Sequence, residues 1–260
     1  MLIVENNTNE INKIAPASRI VSLVPSLTET IAFFGAVRSL AGITRFCKYP
    51  EGILDKTTVV GGPKDFDIEM IISLKPDVVV AVKEENDKAR ILALAEKLPV
   101  VLFDIMHIGD AFEMMLTLGK LLGKEKEAGK AIGEIKNEFA SIPNSLPKRK
   151  CLYLIWKKPW MAAGKQTFIN ENLEKLGLEN VVEGRYPEVK KEIFEQADYL
   201  LLSSEPFPFR DKHRQEIQQK YPDKKVMLVD GEMFSWYGSR MRKAGNYFRN
   251  LFHDLSNICI

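Results

Sequence analysis

The chain has 260 residues, and 45% of them are hydrophobic, which is more apolar material than one hydrophobic core usually organises. Its 37 basic and 35 acidic residues give a formal net charge of +2, which excludes the strongly basic surface that nucleic-acid binding requires. Cys47, Cys151 and Cys259 are widely spaced and form no C-x-x-C pattern. They predict free thiols and argue against a disulfide framework or a zinc site.

The N-terminal segment, 1–16, is polar where a secretory signal needs a continuous apolar core. No apolar run in the chain approaches the ~18 residues of a transmembrane helix. We therefore expect no export signal, and a cytoplasmic location if Met1 is the native start.

Short apolar runs alternate with longer amphipathic stretches, which is typical of strand-helix units around mainly parallel sheets. In the first half the predicted strands are RIVSLV at 19–24, DVVVAV at 77–82 and PVVLF at 99–103. In the second half they are CLYLIW at 151–156, DYLLLS at 198–203 and VMLV at 226–229. Their continuous apolarity indicates strands that are covered on both faces.

Between these two sets, residues 110–141 carry no strand signal, and Gly123 predicts a helix stop. From Lys124 onward, apolar residues recur at spacings of three and four, which predicts an amphipathic helix that ends at Pro143 and Pro147. We therefore predict an α/β fold of two lobes with mainly parallel sheets and flanking helices. The N-terminal lobe is 1–122, a single long rigid connecting helix is 123–146, and the C-terminal lobe is 147–260.

Aromatic and charged residues follow most of the predicted strands, at the sheet edge where ligands of open α/β sheets collect. Rigid aromatic rings there make good walls for a flat ligand, although each ring could instead serve local packing. Three rings lie in loops of this kind, those of Trp160, Phe207 and Trp236.

Ser26 and Glu29 follow the first predicted strand at a spacing of three. This spacing predicts a capping box, in which the Ser26 side chain caps a helix and Glu29 closes the box.

Signatures of catalysis are weak in this sequence. G-x-S-x-G, H-E-x-x-H and the phosphate-loop motif are missing. The three histidines, His107, His213 and His253, are far apart in sequence, so no metal site is predicted. Several charged residues could support acid-base chemistry if they were paired in space: Glu84, Glu85, Glu205, Glu232 and Arg240.

Several segments, in this order, resemble one family along nearly the whole chain. They are RIVSLVPSLTE at 19–29, GITRFCKYP at 42–50, DIE at 67–69, LKPDVVV at 74–80, PWMAAG at 159–164, LGLENV at 176–181 and SR at 239–240. The chain resembles the helical-backbone (class III) substrate-binding proteins of ABC transporters for cobalamin and iron-siderophore complexes.

The resemblance implies a non-catalytic protein that holds a corrinoid such as cobalamin, or a ferric chelate, between its lobes. It implies no intrinsic cofactor, a monomer, a periplasmic location, and an ABC permease dimer with its ATPase as partner. Together with the strand-end aromatics, it gives these candidate ligand-binding positions: Phe46, Tyr49, Trp160, Phe207, Glu232, Met233, Phe234, Ser235, Trp236 and Arg240. We expect the rings of Phe46, Trp160, Phe207 and Trp236 to surround one cleft. Glu69 and Glu192 match the acidic residues, one in each lobe, that dock on the permease.

Two alternatives remain open at this point. The first is a signal-less cytosolic carrier or sensor of a corrinoid, heme or chelate. The second is an enzyme that acts on such a ligand. The missing export signal favours these alternatives, whereas the glutamates at 69 and 192 favour transport.

Overall fold

The structure is a computed structural model that describes residues 3–4, 8–143 and 149–256. The chain divides into two compact units, of which the first is Met1–Ile135 with Tyr237–Arg240 and the second is Lys136–Trp236 with Met241–Ile260. Cys259, Pro147 and the predicted end of the connecting helix at 146 lie outside the described residues.

The first unit is built on a six-stranded sheet whose strands all pair in parallel. Its strands are β1 Ile3–Val4, β2 Ile20–Ser22, β3 Leu40–Ile43, β4 Thr58–Val59, β5 Val78–Val82 and β6 Val100–Phe103. Its helices are α1 Thr8–Ile14, α2 Pro25–Phe33, α3 Ile68–Ser73, α4 Lys88–Ala95 and α5 Ile108–Leu122. The three strands predicted for this half are confirmed, and β5 is buried along its full length.

The strand order of this sheet is β1-β6-β5-β2-β3-β4, so the chain leaves β2 in one direction and returns to its other side at β5. The carboxyl ends of β2 and β5 therefore flank a switch point, where open α/β sheets bind ligands. Asn86 joins the two strand ends, because its side chain accepts a hydrogen bond from Val82 N–H and donates to the Leu23 carbonyl. These two hydrogen bonds hold the ends of β2 and β5 together at the switch point.

The second unit contains a five-stranded mixed sheet in the order β11-β10-β7-β8, with β9 paired to the start of β7. Its strands are β7 Arg149–Lys157, β8 Trp160–Ala163, β9 Leu178–Asn180, β10 Tyr199–Ser203 and β11 Lys225–Val229. Its helices are α7 Phe168–Lys175, α8 Lys191–Gln196, α9 Asp211–Lys220, α10 Gly231–Ser235 and α11 Met241–Ser256. The predicted strands are confirmed here as well, and the antiparallel partner β8 is an addition.

Helix α6, Glu125–Ala140, carries the chain from the first unit to the second, and the division falls between its residues 135 and 136. Sixteen residues at 1.5 Å each make a helix of about 24 Å. Gly123 ends the preceding α5 with a left-handed φ of 62°, which confirms the predicted helix stop.

Residues 237–240 belong to the first unit, whereas the sequence predicts one uninterrupted C-terminal lobe from 147 onward. The physical reason lies in polar contacts with α2: the Ser239 backbone N–H donates to Thr30 Oγ1, and Arg240 bonds Glu29. Gly238, at φ 85°, allows the backbone to approach Thr30 closely. We call residues 237–240 the return segment.

Within the described segments, no helix has the length and apolar character that crossing a bilayer requires.

Candidate functional site

The carboxyl edge of the first sheet carries a network centred on Arg240. This side chain is only 3% exposed, and its Nε donates to Glu29 Oε2 at 2.9 Å. Its guanidinium carbon lies 4.0 Å from the centroid of the Tyr49 ring, a cation-π contact. The structure therefore brings together Arg240 and Tyr49, two of the predicted site residues, and adds Glu29.

A second link at this edge joins the return segment to the loop after β5. Tyr237 is buried, and its hydroxyl donates to Glu85 Oε1 at 2.5 Å. Burial, followed by the adjacent Glu85 carboxylate, raises the pKa of Tyr237 well above its usual value, so the phenol keeps its proton. Glu85 is thus held as a hydrogen-bond acceptor.

Phe46 stands out in the loop after β3, because its side chain is 53% exposed. Arg45 lies over its ring at 5.1 Å and is itself paired with Asp65. The neighbouring Cys47 is buried against Thr28 and Thr44, and burial raises the pKa of its thiol. The loop is therefore anchored at Cys47 while it presents an aromatic ring to solvent.

The predicted capping box at Ser26 and Glu29 is wrong. Helix α2 begins at Pro25, directly after Val24, and no side chain caps it. Pro25 needs no N–H partner at the first helical position, so a capping side chain there has less to satisfy. Glu29 bonds Arg240 instead, which sequence spacing cannot reveal.

In the second unit, Glu205 ties two carboxyl-edge loops together. It follows β10, and its Oε1 accepts hydrogen bonds from Trp236 Nε1 at 2.7 Å and Ser235 Oγ at 3.0 Å. Both donors lie at the end of α10, which follows β11. Trp236, Ser235 and the partly buried Glu232 therefore occupy the predicted edge, on a short helix whose orientation Glu205 fixes.

Phe234 is a correction to the predicted set. It is fully buried in the core of the second unit and packs against Tyr153 at 5.1 Å and Phe248 at 4.8 Å between ring centroids. A side chain without exposed surface cannot contact a ligand, so the prediction for Phe234 is wrong. Met233, its neighbour, is partly buried and packs on the same core.

Trp160 and Phe207 meet around a third ring, Phe209. The Trp160 ring stacks on the Phe209 ring with 6.2 Å between centroids, and the Phe207 ring meets the Phe209 ring edge-on at 4.7 Å. Both side chains are partly buried against the core of the second unit. Local packing accounts for part of each ring, and a cleft shared with Phe46 and Trp236 stays a prediction.

Glu69 and Glu192 have matching local positions. Each is exposed and lies in the first turn of a six-residue helix, Glu69 in α3 of the first unit and Glu192 in α8 of the second. Neither carboxylate forms an ion pair or a hydrogen bond with another residue in the described part of the chain. Each is therefore available to a cation on a partner.

Metal ligation by the chain itself has no support in the described segments, where no group of three or more His, Cys, Asp or Glu side chains is placed to hold an ion. Two of the four carboxylates considered for catalysis have structural partners: Glu85 accepts from Tyr237, and Glu205 from Trp236. Arg240 is likewise held by Glu29. Such groups are suited to fixing loop geometry.

The sequence of this chain is similar to those of curated proteins. The chain is 25% identical over 191 residues to a cobalamin-binding protein of Halobacterium salinarum, which covers 69% of this chain and 52% of that protein. It is 27% identical over 173 residues to an uncharacterized ABC transporter substrate-binding lipoprotein of Bacillus subtilis, with 62% and 54% covered. The chain spans about half the length of these curated relatives.

Among solved structures, a periplasmic heme-binding protein from Roseiflexus sp. RS-1 in its apo form is similar in fold. Its TM-score is 0.77 at 17% sequence identity, with 92% of this chain and 98% of that chain covered. The periplasmic binding protein family model matches residues 20–249, which include the carboxyl-edge loops of both sheets. The chain therefore belongs to the periplasmic binding protein family.

Proposed function

We propose that this chain is a non-catalytic binding protein for a corrinoid or iron-chelate complex, which it delivers to an ABC importer. The relatives whose names state cobalamin or heme binding support the ligand class. The metal arrives inside the ligand, so the protein needs no metal site of its own.

The observation that carries this proposal is the exposed Phe46 ring on an anchored loop at the sheet edge. Exposing a large aromatic ring to water is unfavourable. Covering the ring with a flat apolar surface is therefore favourable. Tyr49 and Arg240 lie at the same edge and are held in place, so ligand binding orders few side chains. This geometry suits the capture of a large flat molecule.

The engaged carboxylates favour binding over catalysis. A general acid or base must exchange a proton with substrate. Glu85 and Glu205 instead accept hydrogen bonds from Tyr237, Ser235 and Trp236 within the protein. A turnover assay with heme or cobalamin should therefore show ligand recovered unchanged.

A thermal-shift screen tests the ligand class. Ligand at a thousand times its Kd stabilises the native state by about 4 kcal/mol, and each kcal/mol raises Tm by roughly 2–4 °C for a chain near this size. We expect one clear shift among cobalamin, cobinamide, heme and ferric siderophores. Flat responses from a folded protein to all four would reject the ligand class.

Delivery to an importer is tested separately at Glu69 and Glu192. Charge pairs across an interface have couplings of about 1.5–7 kcal/mol, so the double variant Glu69→Lys, Glu192→Lys should lose association with the cognate permease. The matched control reverses one exposed glutamate in each unit, Glu113→Lys with Glu179→Lys. Equal association of both double variants, with ligand binding intact, would remove the transport role and leave a ligand carrier.

A further inference from the structure

The second unit contains a cavity of about 170 Å³ between the β7–β8 turn, α8 and α9. An apolar cavity of about 150 Å³ is large enough to take up a benzene molecule. The cavity therefore has room for one six-membered ring with a small substituent.

Three aromatic side chains form the walls of this cavity: Trp160, Phe194 and Tyr221. Phe194 stacks on Tyr221 at 5.3 Å with an interplanar angle of 12°, and it meets Trp160 edge-on at 5.5 Å. Trp160 is backed in turn by Phe209. The walls are fixed by packing and favour a planar, aromatic occupant.

The charge around the cavity is positive. Three lysines and one glutamate line it, which leaves an excess of two positive charges. Lys157 is committed to Glu216, since its Nζ lies 2.5 Å from Glu216 Oε2. Lys158 and Lys220 are exposed, and Lys220 Nζ lies 5.4 Å from the Tyr221 ring centroid. Two ammonium groups beside aromatic walls attract a carboxylate attached to a ring.

We propose that this cavity binds a planar aromatic carboxylate. The proposal uses residues of the second unit only, and it does not depend on the function proposed above. The carboxylate can belong to a free aromatic acid or to one arm of a metal complex, and the two sources share the same recognition chemistry.

Benzoate is added to the full-length protein as the probe. Benzamide, its uncharged isostere, is added in a parallel experiment for comparison. The indole N–H signals of the three tryptophans are followed by NMR, and Trp160→Phe assigns the signal of Trp160. Benzoate should shift the Trp160 signal and leave that of Trp236, whose indole is bonded to Glu205. An unmoved Trp160 signal, or benzamide binding as tightly as benzoate, would overturn the proposal.

The double variant Lys158→Gln, Lys220→Gln tests the charge. Both ammonium groups are exposed, so each adds modestly to binding, and loss of the two should weaken benzoate binding by up to about tenfold. Lys212→Gln is the matched control, because Lys212 is exposed on the same helix α9 and does not line the cavity. Equal losses in the double variant and the control would contradict the proposal.

A competition titration separates the two sources. If heme, whose propionate groups are carboxylates, binds and displaces benzoate, the cavity receives a carboxylate of the metal complex, whereas cobinamide, which carries amides, should leave benzoate bound. If heme also leaves benzoate bound, or neither complex binds at all, the cavity takes a free aromatic acid. Both results retain the cavity as an aromatic carboxylate site, so failure of the proposed function does not affect it.

Discussion

The carboxyl edges of the two sheets are stabilised by different means. In the first unit, the edge depends on the return segment, whose Arg240 forms a buried ion pair with Glu29 and covers the Tyr49 ring. In the second unit, the edge is held by hydrogen bonds to Glu205 and by the aromatic core under α10. The first edge therefore depends on contacts distant in sequence, and the second on neighbouring loops.

The two edges should therefore respond differently to substitution. Breaking a buried ion pair leaves an uncompensated charge, which costs more than the loss of one hydrogen bond. Substitutions in the return segment should therefore lower the free energy of unfolding more than comparable substitutions at Glu205 do.

The largest effect is expected from Gly238→Ala. A Cβ at this position would overlap Thr30 Oγ1, and the φ of 85° disfavours any L side chain. Overpacking costs about 1–3 kcal/mol and a left-handed conformation about 1–2 kcal/mol, so we expect a loss of about 2–5 kcal/mol in urea unfolding. Gly35→Ala is the control, since its φ is 78° and its Cβ would meet nothing within 4 Å. Equal losses would show that the close approach to Thr30 is unimportant.

Arg240→Met should cost about 3 kcal/mol, because it removes the Arg240 cation from the mostly buried Glu29 carboxylate. The matched control is Arg45→Met, which breaks an ion pair with Asp65 whose side chains are 48% and 56% exposed. Exposed pairs contribute about 0–1 kcal/mol. Similar losses for the two variants, measured by chemical unfolding, would contradict the central role of the return segment.

Glu205→Gln measures how much the charge of Glu205 contributes to the stability of the second unit. The amide keeps an acceptor oxygen for Trp236 and Ser235 but loses the charge, so the cost should be about 1 kcal/mol. If Glu205→Gln lost more unfolding free energy than Arg240→Met, the second edge and not the first would be the more sensitive to substitution.

The smallest effect concerns pH. Burial, followed by the nearby Lys157, lowers the pKa of His213, and its Nδ1 accepts the Arg210 backbone N–H. As pH falls through about 6.5, the unfolded chain takes up a proton before the folded one does, so stability decreases below that pH. His213→Gln should flatten this part of a stability-pH profile. An unchanged slope in the variant would assign the pH dependence to other groups.

Continuous apolar runs made six strands predictable, because a strand buried on both faces leaves few polar positions. Strand β3, LAGI at 40–43, escaped prediction because it is short and contains Gly42. At that position the backbone passes close to Val60 and Leu74. Strand β8 is not predicted, because it has only four residues and directly follows Pro159.

The candidate site was predictable in outline only. Strand ends indicate the edges at which Arg240 and Glu205 lie, since parallel strands align their carboxyl ends. The Arg240–Glu29 pair joins residues 211 positions apart, which local pattern cannot indicate. Phe234 is a candidate ligand contact by sequence, but in α10 its side chain is fully buried in the core. Sequence order alone does not separate a ring that packs from one that faces a ligand.

We propose that the exposed aromatic edge of the first unit binds the metal complex. The direct test is a titration of Phe46→Ala with the ligand that gives the thermal shift. Loss of an aromatic contact costs about 0.5–1.5 kcal/mol beyond buried area, so Kd should rise roughly tenfold. Phe33→Ala is the control, because Phe33 is 43% exposed at the opposite end of α2, away from the carboxyl edge. A Kd in Phe46→Ala equal to that of the wild type and of Phe33→Ala would contradict the account.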